Sequence, residues 1–119
     1  MALKRDNKKL PLYMISVVSR MLEVHPQTLR MYEREGFIRP QRINGQRLYS
    51  QEDIERLNLV IELTKELGVN KAGVEIILRM REKMEAMHEE MRDIMRFLED
   101  DIKEQFENRL KNLLSQEKD

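Results

Sequence analysis

The chain has 119 residues, of which 37% are charged and 5% are aromatic, and its 22 basic residues balance its 22 acidic ones. This length predicts one domain with room for an extension, and so polar a composition favours helices with exposed faces over a large core. Because cysteine is absent, disulfides and thiolate metal sites are excluded, which is typical of a cytoplasmic protein. Neither a membrane span nor a signal peptide is predicted.

Charge is distributed unevenly along the chain. Residues 1–50 contain 10 Lys and Arg against 4 Asp and Glu, whereas residues 51–119 contain 12 against 18. This pattern predicts a head that binds a polyanion and a body that does not touch it, although chance clustering would give the same pattern. Residues 1–11 are expected to be a flexible basic arm, either a plain disordered terminus or a source of phosphate contacts.

Two short helices are predicted on either side of a three-residue connection, which is the spacing of a helix-turn-helix. The first covers residues 16–22 and has Ser16 as its cap. The second opens at Pro26, which suits a first helical turn, and ends before Gly36. His25 stands at the N-cap of this second helix, either as a turn residue or as a contact to a phosphate.

The second helix has a narrow apolar stripe formed by Leu29 and Tyr32. Its other side chains are expected to face outward: Gln27, Thr28, Arg30, Met31 and Arg34. Arg and Gln read bases in the major groove of DNA, and Thr and Met can contact thymine methyl groups. The helix is therefore a candidate recognition helix, although an ordinary solvated amphipathic helix has the same pattern.

A basic hairpin is predicted over residues 41–49 because Asn44 followed by Gly45 is a strong signal for a two-residue hairpin turn. Its strands carry Arg42 and Arg47. A basic hairpin directly after a helix-turn-helix is typical of a wing that presses on the DNA backbone or minor groove. A structural hairpin that merely has exposed arginines would fit the same residues.

A third helix is predicted from a cap at Ser50 to Gly68, and a fourth starts at Asn70. In the fourth, apolar residues alternate in steps of three and four over about three heptads, which predicts a coiled-coil dimerisation seam. Its candidate members are Met84, Met87, Met91, Ile94, Leu98 and Ile102. The phase shifts after Leu98, so one helix or two would fit residues 70–119, with a stutter, a break or a frayed tail.

Five methionines share this stripe: Met80, Met84, Met87, Met91 and Met95. Thioethers can bind soft ions such as Cu(I), pack in a core or form an adaptable surface for a partner protein. Because no cysteine or paired histidine is near, we favour packing and expect neither a metal nor another cofactor. The sequence contains no catalytic arrangement that would indicate an enzyme.

Three stretches resemble the MerR family of winged-helix regulators in order and spacing, namely residues 15–18, 27–36 and 46–54. The resemblance covers residues 12–80. Within the family the chain is most similar to the HspR-type heat-shock repressors. The markers are His25 before Pro26, where most relatives have Ser, and the stretch Gly-Val-Asn-Lys-Ala-Gly-Val at residues 68–74.

The resemblance implies a mainly α fold with a winged helix-turn-helix head over residues 12–82 and a coiled-coil dimerisation helix and tail over residues 83–119. It implies a homodimer with antiparallel terminal helices that represses transcription from an inverted-repeat operator in double-stranded DNA of a bacterial or archaeal nucleoid. A DnaK-type chaperone is the implied co-repressor. The alternatives are a protein-interaction adaptor or a regulator of another stimulus. The DNA-binding residues expected from the pattern and the resemblance are Ser16, Arg20, His25, Gln27, Thr28, Arg30, Met31, Tyr32, Arg34, Arg42, Arg47 and Tyr49.

Overall fold

The computed structural model describes residues 7–117, and within them the chain is mainly helical with one small sheet. The elements in order are β1 (Tyr13–Met14), α1 (Ile15–Met21), α2 (Pro26–Arg34), β2 (Gln41–Ile43), β3 (Gln46–Tyr49), α3 (Gln51–Ile61), a π-helical turn (Glu62–Glu66) and α4 (Lys71–Glu117). The predicted fold class, a helix-turn-helix with a hairpin followed by a long helix, is confirmed. None of the helices described is long and apolar enough to cross a membrane.

The chain divides into two compact units between Leu78 and Arg79, a few residues before the boundary expected from the sequence. We call the part up to Leu78 the head and the part from Arg79 onward the terminal unit. The helix α4 begins in the head, and over the described residues it is a single helix rather than two.

The sheet of the head is antiparallel, with the strand order β1-β3-β2. The turn between β2 and β3 lies at Asn44 and Gly45, whose φ angles of 52° and 80° are the left-handed values that a tight hairpin turn requires. The predicted hairpin is therefore confirmed, and we call β2, β3 and their turn the wing hairpin. The strand β1, which pairs Tyr13 with Tyr49, was not expected from the sequence.

The described part of the predicted arm, residues 7–11, is bonded to the head rather than free. The amide of Glu52, in the first turn of α3, donates to the carbonyl of Lys8 at 2.9 Å. The Lys8 ammonium lies 3.7 Å from the carboxylate of Glu55. These contacts correct the expectation of a flexible arm for this stretch, while residues 1–6 of the arm lie outside the described residues.

The cap of α3 forms as predicted, whereas the cap predicted for α1 does not. Ser50 accepts from the amide of Asp53 and the Asp53 carboxylate accepts from the amide of Ser50, each at 3.0 Å, in a reciprocal capping box. In contrast, α1 begins at Ile15 with Met14 as its uncapped N-cap. Because β1 leads directly into α1, Ser16 already lies inside the helix and cannot cap it.

One hydrophobic cluster joins the three short helices, the sheet and the start of α4. Its fully buried members are Val18, Leu29, Tyr49, Leu57, Val60 and Val74. Tyr32 and Phe37 extend the cluster, with ring centroids 6.1 Å apart. Each large side chain buried in this way contributes about 1.5–3 kcal/mol, so the cluster fixes the position of every element that it joins.

The predicted third helix changes form before it reaches Gly68. Regular α structure ends at Ile61, the π-helical turn follows, and Gly68 ends the segment with a φ of 64°. In this turn the Thr64 hydroxyl donates to the carbonyl of Val60 at 2.8 Å. Since its proton is used there, Thr64 accepts from the Tyr32 hydroxyl at 3.0 Å, and the π turn is thereby linked to α2.

The predicted start of the fourth helix, Asn70, directly precedes α4, and its Oδ1 accepts from the amide of Gly73 at 2.9 Å, as a cap does. Val69 precedes the cap and packs against the core. A Cβ atom at Gly73 would lie 2.6 Å from Cγ1 of Val69 and 3.2 Å from Oδ1 of Asn70. Any side chain at position 73 would therefore disturb the packing of Val69 or the cap formed by Asn70, which explains the glycine.

We predict that Gly73→Ala destabilises the protein by about 1 kcal/mol, although the same change inside a helix usually stabilises by about that amount. The added methyl group must displace Val69 or break the Asn70 cap. Denaturant unfolding followed by circular dichroism measures the effect. In a Val69→Ala background the added methyl has room, so Gly73→Ala should cost less there. A Gly73→Ala variant more stable than the parent would contradict this account.

Candidate nucleic-acid interface

The turn between α1 and α2 is held by backbone bonds and one side-chain cap. The amide of Val24 donates to the carbonyl of Ser19 at 3.0 Å, and Glu23 adopts a left-handed φ of 56°. His25 is the N-cap of α2, and its Nδ1 accepts from the amide of Gln27 at 3.0 Å. The predicted capping position of His25 is confirmed, and α2 leaves the turn in a fixed direction.

The helix α2 buries one face and exposes the other, as its sequence predicts. Leu29 and Tyr32 are 0% and 2% exposed. The remaining predicted side chains form what we call the recognition face, in which Gln27, Met31 and Arg34 are exposed and Thr28 and Arg30 are half-buried. Ser16 and Arg20, on α1, are also exposed. Side chains for base and phosphate contacts are thus available on both helices.

Two of the residues expected to contact DNA are buried in the head. Tyr32 is engaged with Thr64, and Tyr49 is 0% exposed. The Tyr49 hydroxyl has no hydrogen-bond partner within the described part of the chain. Burial raises its pKa, and the negative charge of Glu33 adds to the rise. This burial corrects the expectation for Tyr32 and Tyr49, whose rings support the helix and the sheet from inside.

The two arginines of the wing hairpin share one carboxylate on α2. Arg42 and Arg47 are directly opposite each other on β2 and β3. Nε of Arg47 lies 2.9 Å from Oε1 of Glu33, and its Nη2 lies 3.5 Å from Oε2. Nη2 of Arg42 lies 3.3 Å from the same Oε2. The wing hairpin is therefore joined to the recognition helix through Glu33.

Sequence reasoning missed Glu33 because its partners lie 9 and 14 residues further along the chain, where no periodicity connects them. Its negative charge is the signal that could have identified it, since Glu33 is one of only 4 acidic residues among the first 50. An acidic side chain within a basic stretch of sequence indicates a pairing role, because alone it would repel a polyanion.

The six predicted seam residues all lie on α4 in the terminal unit and are exposed in the single chain. Their exposed fractions range from 48% at Leu98 to 67% at Met84. His88 lies among them and is also exposed. Within residues 7–117 no group of three or more His, Asp and Glu side chains is placed to hold a metal ion.

The Glu33 carboxylate should make stability depend on pH. Burial alone would raise its pKa, but the hydrogen bonds and charges of Arg47 and Arg42 lower it below the ordinary 4.5. A lowered folded-state pKa gives stability that is complete above the ordinary value and is lost as the pH falls through the folded value. We predict that the wild type is more stable than Glu33→Gln at pH 7 and that the difference shrinks below about pH 4.5. Denaturant unfolding across pH measures it, and a difference that grows on acidification would contradict this.

Comparison with known proteins agrees with this geometry. A model of the MerR HTH family regulatory proteins matches residues 13–81. The protein named HspR, a heat shock protein of Streptomyces coelicolor, is 41% identical over 75 residues, which cover 62% of this chain and 50% of that protein. The HTH-type transcriptional regulators GlnR of Bacillus anthracis and Bacillus cereus are 31% identical over 81 residues, covering 67% of this chain and 62% of theirs.

The chain thus spans between about half and two thirds of the length of these relatives. The matched residues contain α1, α2, the wing hairpin, α3 and the start of α4. They are the elements that carry the recognition face and the Glu33 contacts. The family inferred from the sequence is confirmed, and this chain belongs to the MerR family of helix-turn-helix regulatory proteins.

Proposed function

We propose that this protein is a dimeric transcriptional repressor that binds an inverted-repeat operator in double-stranded DNA. The recognition face of α2 is the observation that carries the proposal. Two buried residues, Leu29 and Tyr32, hold this helix on the core, while every other predicted contact side chain on it remains at least partly exposed. A helix held in this way can present its outer face to the major groove.

The chemistry of the recognition face fits base reading. Arg30 and Arg34 can donate two hydrogen bonds to a guanine, and Gln27 can pair with an adenine edge. Thr28 and Met31 supply apolar atoms for thymine methyl groups. Ser16 and Arg20 on α1 are exposed for phosphate contacts, which set the register of the helix on the duplex.

A second copy of the chain is the proposed partner of the terminal unit. The exposed residues of the seam recur in steps of three and four, and they bury their apolar area only against another helix. We propose antiparallel pairing of these helices in a homodimer. A two-fold symmetric dimer presents two identical heads, so its operator should be an inverted repeat.

The stimulus is proposed from the relatives and the sequence markers. HspR of Streptomyces coelicolor is named as a heat shock protein. The residues around His25 and Asn70 resemble those of the HspR type. We propose that the protein represses heat-shock or chaperone genes in the cytoplasm, with a DnaK-type chaperone as co-repressor. The chemistry proposed is binding alone, without catalysis or a cofactor.

Selection of duplexes from a random pool, followed by mobility shift at two salt concentrations, tests the DNA-binding proposal. We expect one enriched inverted repeat whose preference over random duplex persists as the salt rises, because only base contacts are independent of counterion release. Arg30→Ala should weaken binding to the selected duplex by about 1–3 kcal/mol and relax the base preference at one position of each half-site.

Arg92→Ala is the matched control, since it removes the same charge from the terminal unit and should leave base preference unchanged. A protein that enriches no sequence would contradict the proposal and favour the protein-interaction adaptor. If Arg30→Ala binds the selected duplex as the wild type does, the assignment of the recognition face is wrong.

The same mobility-shift assay tests the proposed co-repressor when a purified DnaK-type chaperone is added. Tighter binding of the selected duplex in the presence of the chaperone is the expected result. An affinity that does not change with chaperone concentration would remove the chaperone from the proposal and leave the DNA-binding part intact.

Sedimentation at micromolar concentration tests the dimer. We predict that Met91→Lys, which places a charge in the seam, converts the protein to a monomer, because burying an unpaired ammonium is costly. Ala86→Lys adds the same charge at an exposed position outside the heptad seam and should remain dimeric. A wild-type protein that sediments as a monomer would contradict the dimer.

A further inference from the structure

The two arginines of the wing hairpin, Arg42 and Arg47, differ in burial and in the number of contacts that each makes. From the sequence, both are expected to play the same role as DNA-binding residues of the wing. From these differences we propose that Arg47, held by Glu33, positions the wing hairpin against α2, and that Arg42 is the residue that contacts a DNA phosphate. The assignment to phosphate rests on the DNA-binding function proposed above, whereas the positioning role can be tested without DNA.

The strand register of the wing hairpin places two positive charges side by side, and Glu33 supplies a negative charge between them. Arg42 and Arg47 are opposite each other on neighbouring strands, and like charges placed in this way repel. The Glu33 carboxylate accepts from both guanidinium groups and compensates for one of the two charges. The repulsion is thereby relieved, and one positive charge in excess remains on the hairpin.

Arg47 has the geometry of a fixed structural contact. It lies on β3, the central strand of the sheet, and its side chain is 24% exposed. Two of its nitrogens, Nε and Nη2, face the two oxygens of Glu33 at 2.9 and 3.5 Å. A planar guanidinium that engages a carboxylate with two nitrogens fixes direction as well as distance. This contact therefore sets the position of the hairpin relative to α2.

Arg42 has the geometry of a side chain that can leave its partner. It lies on β2, at an edge of the sheet, and its side chain is 53% exposed. A single contact of 3.3 Å joins its Nη2 to Glu33. If Arg42 turned toward a phosphate, the carboxylate would keep its closer partner, Arg47. Arg42 could therefore contact the DNA backbone while Arg47 still holds the wing hairpin on α2.

Replacement of each arginine by lysine separates the two roles. A phosphate accepts a lysine ammonium as a point charge, but an ammonium cannot reproduce the planar two-nitrogen contact with a carboxylate. On the selected duplex, Arg42→Ala should reduce the slope of log affinity against log salt by about one, and Arg42→Lys should restore it. Arg47→Lys, which keeps a positive charge beside Glu33 but loses the two-nitrogen contact, should weaken binding several-fold and leave the slope unchanged.

A measurement on the free protein tests positioning alone. In ¹⁵N-edited NMR spectra of the wild type, the Nε–H proton of Arg47 should exchange slowly with water, because Glu33 accepts it. This protection should be lost in Glu33→Ala, which has no side-chain acceptor, with shift changes in the amides of the wing hairpin. Slow exchange of the amides of α3 in each variant serves as the control that the head remains folded.

The outcomes are distinguishable. If Arg42→Ala leaves the salt slope unchanged, or if Arg47→Lys binds the duplex as the wild type does, the inference is overturned. If the Arg47 Nε–H exchanges as fast in the wild type as in Glu33→Ala, the positioning role is overturned. If the wild type binds no duplex, the proposed function and the phosphate role of Arg42 fail together, and the NMR measurement still decides the role of Arg47.

Discussion

The arrangement of the head depends on the tertiary contacts that hold the nine-residue helix α2 in place. The helix α2 is too short to be stable alone, so its position must come from tertiary contacts. Leu29 and Tyr32 bury one face in the core and leave the opposite face for a ligand. The same two side chains therefore decide both whether the helix forms and which residues it presents.

Two consecutive residues attach α2 to different parts of the head. Tyr32 reaches Thr64 in the π-helical turn, and Glu33 reaches the wing hairpin. Their side chains point in different directions because successive residues on a helix are about 100° apart. As a result, the helix is joined to the segment before α4 and to the sheet at the same point along its length. A rotation of α2 about its axis would break one of these contacts, which gives the recognition face a defined direction.

Local signals in the sequence predicted much of this architecture. Pro26 and Gly36 set the limits of α2, Asn44 and Gly45 predicted the hairpin turn, and Ser50 predicted the start of α3. Each of these residues acts on its own neighbours, within three or four positions, so no tertiary information was needed. The outward side chains of α2 followed from helical periodicity in the same way.

Features that depend on distant partners were not predictable. The strand β1 has two residues, too few for any alternation, and it exists because β3 offers it a free edge. The π-helical turn changes the direction of Thr64, which a regular 3.6-residue period cannot anticipate. Tyr49 was assigned to the DNA surface because of the resemblance, but the pairing of β3 directs its ring into the core.

The bond from Glu52 to Lys8 has a consequence for the first turn of α3. The amides at the start of a helix lack partners within it. In α3 the hydroxyl of Ser50 accepts from the amide of Asp53, and the carbonyl of Lys8 accepts from the amide of Glu52. The segment upstream of β1 therefore completes the helix cap from outside. A shortened protein starting at Leu12 would leave that amide to water, and a fusion partner joined there would abut a helix terminus rather than a free end of the chain.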